Sequence, residues 1–102
     1  MQEYEVVISL GTNLGDKLKN LKNAINYIQV YARVINKSRI FCSEPWGYES
    51  ENEFLNMGLI IKTPLEPIPL LKKLKGIEKK MGRAPKLIKS YQDRIIDLDI
   101  LI

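Results

Sequence analysis

The hydrophobic residues of this chain repeat with two different periods, and these periods alternate along the sequence. A two-residue alternation, typical of half-buried strands, marks four stretches at about 4–10, 33–42, 53–62 and 93–102. A three- to four-residue repeat, typical of amphipathic helices, marks two stretches at about 16–30 and 67–82. The resulting order, β-α-β-β-α-β, predicts an α+β, ferredoxin-like fold in which two helices cover one face of an antiparallel four-stranded sheet. The other face is then left open to solvent or ligand.

Composition narrows the chemistry that such a fold could carry. The chain has 102 residues, the size of a single domain, and no apolar run approaches the length of a membrane span. A single cysteine, Cys42, and no recognisable signal peptide lead us to expect a reduced, cytoplasmic protein. Histidine is absent, so any catalysis must use carboxylates, arginine, lysine, tyrosine or a hard metal ion. The net charge of +4 favours a polyanionic ligand such as a nucleotide phosphate or a nucleic acid.

The last predicted strand, DRIIDLDILI, contains two aspartates in an otherwise apolar stretch. Aspartate is depleted in strands, and a buried carboxylate is costly unless it is paired or bound to a metal. Because side chains alternate across a strand, Asp97 and Asp99 share the open face, with Cα atoms about 6.5 Å apart. Carboxylates this close repel each other, and a divalent cation removes the conflict. The oxygen ligands therefore predict a Mg²⁺ site.

Other residues predicted on or beside the open face suit a phosphorylated ring compound. Phe54 and Asn56 alternate with the core positions of the third strand, and could hold a flat heterocycle by stacking and hydrogen bonding. A preceding loop with Trp46 and Tyr48 could cover that site. A later loop carries four cations that could clamp phosphates: Arg83, Lys86, Lys89 and Arg94. Together with a metal site, this set favours phosphoryl-type transfer to a ring compound.

Each of these features also has a simpler interpretation. The aspartates could be solvated residues of an open sheet face, Phe54 a packing residue, and Trp46 a loop anchor. The cations could form an ordinary solvated loop. The main competing function is a ligand- or RNA-binding module on the same fold, which the basic charge and open-face aromatics would suit. Such modules normally stack bases on several aromatics of the central strands, whereas the first strand here offers Val7 and Ser9.

Four segments, taken in order, resemble the 6-hydroxymethyl-7,8-dihydropterin pyrophosphokinase family of the folate pathway. They are LGTNLGD after the first strand, EPWGYESENEFLN before and into the third, IEKKMGR at the end of the second helix and DRIIDLDIL at the last strand. The resemblance covers essentially the whole chain, and DLDIL with its upstream arginine is the strongest single element. It implies Mg²⁺-dependent transfer of diphosphate from ATP to the pterin alcohol, with release of AMP.

The resemblance also implies a role for individual residues. Asp97 and Asp99 would hold two Mg²⁺ ions that bridge the ATP phosphates, and Glu78 would lie near the nucleotide. Arg83 and Arg94 would contact phosphates and assist catalysis or product release. The loops at 44–53 and 83–93 would be mobile and close on substrate. Gly11 and Asn13 would shape the turn beside the pterin site. The pterin would be held by six residues: Ser43, Glu44, Pro45, Trp46, Phe54 and Asn56.

Family members normally continue for several tens of residues beyond the last strand. The resemblance therefore implies that residues 1–102 form a single pyrophosphokinase core domain without the usual C-terminal extension. We expect this core to fold at least in part and to be weakly active or inactive alone. Its partners would be the two small-molecule substrates, with no nucleic acid, membrane or obligate protein partner. An inactive fragment of the enzyme is the alternative within the same family.

Overall fold

A computed structural model describes residues 2–44, 53–82 and 95–101 of the chain. The elements follow one another as β1 (Tyr4–Thr12), α1 (Lys17–Ile28), β2 (Arg33–Lys37), β3 (Phe41–Ser43), β4 (Phe54–Thr63), α2 (Pro67–Lys80) and β5 (Asp97–Ile100). The strands form one antiparallel sheet in the order β2-β4-β1-β5, and β3 also pairs with β4. The predicted ferredoxin-like arrangement is confirmed.

The second strand is the one element that the sequence did not predict correctly. The predicted strand at 33–42 is divided into β2 and β3, so that the sheet has five strands instead of four. Ser38 lies between them, and its hydroxyl oxygen accepts a hydrogen bond from the Gly58 amide at 2.7 Å. The side chain thus takes the place of a backbone partner in the ladder. A bulge between Val34 and Asn36 shifts the register of β2 further.

The two helices begin and end at residues suited to those positions. The Asp16 carboxylate accepts a hydrogen bond from the Lys19 amide at 3.2 Å and caps the start of α1. Helix α2 begins at Pro67, whose missing amide hydrogen is not needed in a first turn. Gly82, with φ of 95°, follows the end of α2. Within the described ranges, no helix has the length and apolar character needed to cross a bilayer.

The core lies between the helices and the inner face of the sheet. Alternate residues of β1, β4 and β5 are almost fully buried, and they pack against the apolar faces of both helices. The strand residues are Ile8, Leu10, Leu59, Ile61 and Leu98, and the helix residues include Leu21, Ile28, Leu70 and Leu74. Strict alternation along β1, β4 and β5 therefore leaves their intervening residues on the open face.

Candidate active site

A row of residues across three strands forms the floor of a cleft on the open face. Asn56 of β4 and Asp97 of β5 are each paired with Gly11 of β1, which lies between them. Gly11 keeps the floor flat, because a Cβ atom there would lie 3.2 Å from Asn56 Oδ1 and 3.5 Å from Phe54 Cδ1. Phe41 of β3 extends the row beyond Asn56. The cleft measures about 430 Å³, a volume that suits a small organic ligand.

The amide of Asn56 is oriented by its neighbours on β3. Its Nδ2 donates to Ser43 Oγ at 2.7 Å and lies 3.4 Å from the Phe41 carbonyl oxygen. Because the nitrogen is directed towards β3, the amide oxygen faces Gly11 and the cleft. Phe54 is also among the residues that line the cleft. An amide and an aromatic ring, two of the groups predicted to bind a heterocycle, therefore share one surface.

The two carboxylates lie at the other end of this surface. Asp97 lines the cleft, and Asp99 lies one row further along, opposite Ser9 of β1. Burial raises the pKa of Asp99, and the nearby charge of Asp97 raises it further. Lys75 acts in the opposite direction, since its Nζ lies 3.8 Å from Asp99 Oδ1. The repulsion predicted between the two carboxylates thus adds to burial in raising the pKa of Asp99.

The donor set of this pair fits a magnesium ion. Both groups supply carboxylate oxygens, the ligand type that Mg²⁺ prefers. Across residues 2–44, 53–82 and 95–101, no cluster of three or more His, Cys, Asp or Glu residues could hold a metal. A two-carboxylate site leaves coordination positions for water and for ligand oxygens, which is how Mg²⁺ is commonly bound beside substrate phosphates. Asp97 and Asp99 could thus hold the metal together with a phosphorylated ligand.

The raised pKa of Asp99 leads to a testable pH dependence. An acid whose pKa is higher in the folded than in the unfolded state weakens the fold as the pH rises through the folded value. Asp97→Asn should lower the pKa of Asp99, and should stabilise the metal-free chain at neutral pH by at most about 1 kcal/mol because Asp99 is half-exposed. Carboxyl ¹³C titration by NMR measures the first effect, and urea unfolding measures the second.

Glu5→Gln provides the control for this titration. Glu5 lies on the open face of β1 and pairs across the strand with Lys62, away from the two aspartates. Its replacement should leave the pKa of Asp99 at the wild-type value. An Asp99 pKa that does not fall in Asp97→Asn would contradict the assigned cause.

Of the other predicted site residues, three lie in the described part of the chain and four lie outside it. Glu44 follows β3 and is exposed, while Asn13 follows β1 and is buried. Glu78 lies on α2 with only 3% exposure, and its Oε2 accepts a hydrogen bond from the Leu98 amide at 2.7 Å. Its direct contact with a nucleotide stays a prediction. Pro45, Trp46, Arg83 and Arg94 lie outside the described residues, as do the parts of the two predicted closing loops at 45–52 and 83–93.

Several residues that line the cleft have no role in the sequence-based prediction, Phe41 and Ser9 among them. Phe41 is 58% exposed and faces Asn56 across the strands, but the mixed pattern of residues 33–42 concealed its position. Ser9 was on the predicted open face and received no role, although the register places it opposite Asp99. Had the pairing of the first and last strands been predicted, alternation alone would have identified Ser9.

Comparison with known proteins gives a consistent result. A family profile described as 7,8-dihydro-6-hydroxymethylpterin-pyrophosphokinase (HPPK) matches residues 7–102. A 2-amino-4-hydroxy-6-hydroxymethyldihydropteridine pyrophosphokinase of Porphyromonas gingivalis is 39% identical over 99 residues, which are 95% of this chain and 67% of that protein. A folate synthesis bifunctional protein of Arabidopsis thaliana is 40% identical over 98 residues, which are 95% of this chain and 20% of that protein.

The structural comparison agrees on the fold. A crystal structure described as HPPK-DHPS in complex with substrates aligns with a TM-score of 0.71 over 98% of this chain and 27% of that one. At 18% sequence identity, this likeness speaks for the fold alone. The chain spans 59% and 57% of the length of two further pyrophosphokinase relatives.

Proposed function

Because the chain belongs to the 7,8-dihydro-6-hydroxymethylpterin-pyrophosphokinase family, we propose that it forms the core that transfers diphosphate from ATP to 6-hydroxymethyl-7,8-dihydropterin in folate synthesis. One observation carries the proposal: the row from Asn56 through Gly11 to Asp97 brings an amide and an acidic pair onto one face of the sheet. The hydroxymethyl group at the edge of a bound pterin would thereby lie between its ring contacts and the phosphate site.

The ring of the pterin would lie over Gly11, against Asn56 and Phe54. The flat floor supports this assignment, because a side chain at position 11 would occupy the space beside the Asn56 amide oxygen. That oxygen would accept hydrogen bonds from ring N–H groups, while Phe54 would supply an aromatic surface for stacking. Ser43 would act indirectly by holding the Asn56 amide in this orientation. Glu44, Pro45 and Trp46 would complete the wall.

The phosphates would lie beside Asp97 and Asp99. These carboxylates would hold two Mg²⁺ ions, and the bound ions would supply charge neutralisation and alignment of the transferring diphosphate. Their projection from the open face and the raised pKa of Asp99 support this assignment. From the resemblance, Arg83 and Arg94 would add positive charge around the transferring group. Glu78 would lie near the nucleotide.

The main contribution of the protein to the reaction would be to orient the two substrates. The pterin hydroxymethyl oxygen would attack the β-phosphorus of ATP, lose its proton and form the new P–O bond while AMP leaves. Asn56 and Phe54 would fix the ring, so that the attacking oxygen points along one line towards the phosphorus. Such positioning can account for a large part of a rate enhancement. No covalent enzyme intermediate is needed, which agrees with the absence of histidine from the chain.

Isothermal titration calorimetry tests this function on the 102-residue chain. The ligands are the pterin and a non-hydrolysable ATP analogue, each with Mg²⁺ and with EDTA. We expect the chain to bind the pterin, and to bind the nucleotide only when Mg²⁺ is present. A chain that binds neither ligand, but binds single-stranded RNA with affinity that falls steeply with salt, would contradict the proposal in favour of a nucleic-acid module.

A further inference from the structure

Strand β5, which carries both aspartates, has its outer edge towards helix α2. It lies at the end of the sheet beside β1, and the Leu101 amide donates to the Val7 carbonyl at 2.8 Å. Because inward and outward backbone groups alternate along an antiparallel strand, this bond directs the N–H and C=O of Leu98 away from β1. The Leu98 side chain is fully buried, so these two backbone groups need partners within the protein.

Two side chains of α2 supply those partners. Glu78 Oε2 accepts from the Leu98 amide at 2.7 Å, and Lys75 Nζ donates to the Leu98 carbonyl oxygen at 3.2 Å. The three-residue spacing puts both side chains on one face of the helix, with Lys75 Nζ 3.4 Å from Glu78 Oε2. A short hydrogen bond to a carboxylate that is only 3% exposed is among the stronger ones in proteins.

The two bonds act on the peptide groups next to the two aspartates. The Leu98 amide belongs to the peptide that joins Asp97 to Leu98, and the Leu98 carbonyl belongs to the peptide that joins Leu98 to Asp99. Glu78 therefore holds the first peptide from the outer side and Lys75 holds the second, opposite the ladder with β1. The direction in which each carboxylate leaves the strand depends on the planes of these two peptides. Lys75 Nζ also lies 3.8 Å from Asp99 Oδ1.

We propose that Glu78 and Lys75 are positioning residues, which hold β5 from its outer edge so that the carboxylates of Asp97 and Asp99 project together. The inference rests on the proposed function, in which these carboxylates bind Mg²⁺. It gives Glu78 a role through the protein backbone, in addition to the nucleotide contact that the family resemblance implies. Groups that orient metal ligands from behind typically change metal affinity by about 10- to 100-fold when they are replaced.

The competing interpretation is that the pair only protects a strand edge. Covering the backbone groups of an edge strand prevents pairing with other chains and adds to stability. In that case, replacing Glu78 would lower the melting temperature but leave Mg²⁺ affinity of the folded protein unchanged. Positioning, by contrast, predicts a change at the carboxylates even where the chain is fully folded.

Three variants of α2 separate these interpretations. Glu78→Gln keeps a carbonyl oxygen for the Leu98 amide, Glu78→Leu removes the acceptor at similar volume, and Leu70→Ala removes core packing from the same helix. Calorimetry measures Mg²⁺ binding with the ATP analogue at a temperature where each variant is folded. We expect a dissociation constant close to wild type for Leu70→Ala, and one about 10- to 100-fold higher for Glu78→Leu than for Glu78→Gln.

A second readout does not depend on metal. The ¹³C shifts of the Asp97 and Asp99 carboxyl groups, recorded without Mg²⁺, should move in Glu78→Leu and stay at wild-type positions in Leu70→Ala. If Glu78→Leu proves unfolded, Lys75→Met tests the other bond with Lys72→Met as its matched control on the same helix. We expect a smaller rise in the dissociation constant for Lys75→Met and none for Lys72→Met.

The outcomes keep the two proposals apart. Wild-type affinity and carboxyl shifts in Glu78→Leu, or an equal effect of Leu70→Ala, would overturn the positioning role. A wild-type chain that binds no Mg²⁺ with nucleotide would instead contradict the proposed function. The metal-free carboxyl shifts would then still decide whether Glu78 positions the aspartates.

Discussion

Replacing Asp97 or Asp99 with asparagine should lower diphosphate transfer by at least about 10²-fold, the loss typical when one electrostatic contact to a developing charge is removed. Asparagine has nearly the same shape as aspartate but carries no charge, so the fold should persist. The melting temperature of the metal-free variants should equal or exceed that of the wild type, because either replacement removes the repulsion between the two carboxylates. Formation of AMP from ATP, followed across a Mg²⁺ titration, measures the rate.

The same variants should lose Mg²⁺-dependent nucleotide binding. Calorimetry with the non-hydrolysable ATP analogue gives this readout even where turnover of the 102-residue chain is slow. Glu5→Gln is the matched control, because it removes a carboxylate from the same sheet face opposite Lys62. It should leave transfer and binding unchanged. Near-normal transfer and metal-dependent binding in both aspartate variants would rule out the assigned magnesium site.

Replacing Asn56 with leucine should weaken pterin binding by about 10- to 100-fold, the cost of leaving one or two ligand polar groups without a partner. The amide oxygen faces the cleft beside Gly11, and leucine presents an apolar group of similar size there. Nucleotide binding with Mg²⁺ should stay at the wild-type level, since Asp97 lies on the far side of Gly11. Calorimetric titrations with the pterin and with the ATP analogue measure the two effects separately.

Asn56 also donates a hydrogen bond to Ser43 of β3. Its contact with the ligand therefore has to be distinguished from its effect on the position of β3. Ser43→Ala removes the hydroxyl to which Asn56 Nδ2 donates, but keeps the Asn56 amide itself. We expect this variant to bind the pterin only a few-fold more weakly, about 1 kcal/mol, the typical net value of one hydrogen bond. Asn36→Ala, on the edge strand β2, should have no effect. Equal losses in Ser43→Ala and Asn56→Leu would show that strand position, and not ligand contact, controls affinity.

Much of this fold could be predicted from sequence because its signals are local. Alternation along β1, β4 and β5 identified the buried residues, and the three- to four-residue repeats at about 16–30 and 67–82 identified both helices. The same alternation assigned Asp97 and Asp99 to the open face without knowledge of the strand order. Alternation depends only on successive residues of one strand, so it holds whichever strands become neighbours in the sheet.

The remaining features depend on pairing between distant residues. At the break between β2 and β3, the Ser38 hydroxyl accepts a hydrogen bond from the Gly58 amide, twenty residues away. Glu78 received only the role implied by family resemblance, because nothing in its own helix indicates that its partner is the Leu98 amide. Phe41 faces the cleft through a strand of three residues, too short to give a period of its own. Such contacts are set by register, which single-sequence patterns do not contain.

The serine between β2 and β3 leaves one position of the sheet ladder to a side chain. The ladder with β4 holds Phe41 and Ser43 through the backbone, and the Ser38 amide donates to the Gly58 carbonyl oxygen at 2.9 Å. Here the junction depends partly on one hydroxyl, so a substitution at position 38 can shift the aromatic wall while β1 and β5 keep their alignment. Relatives could thus adjust the fit to the ring of the pterin by small sequence changes while the acidic pair stays in place.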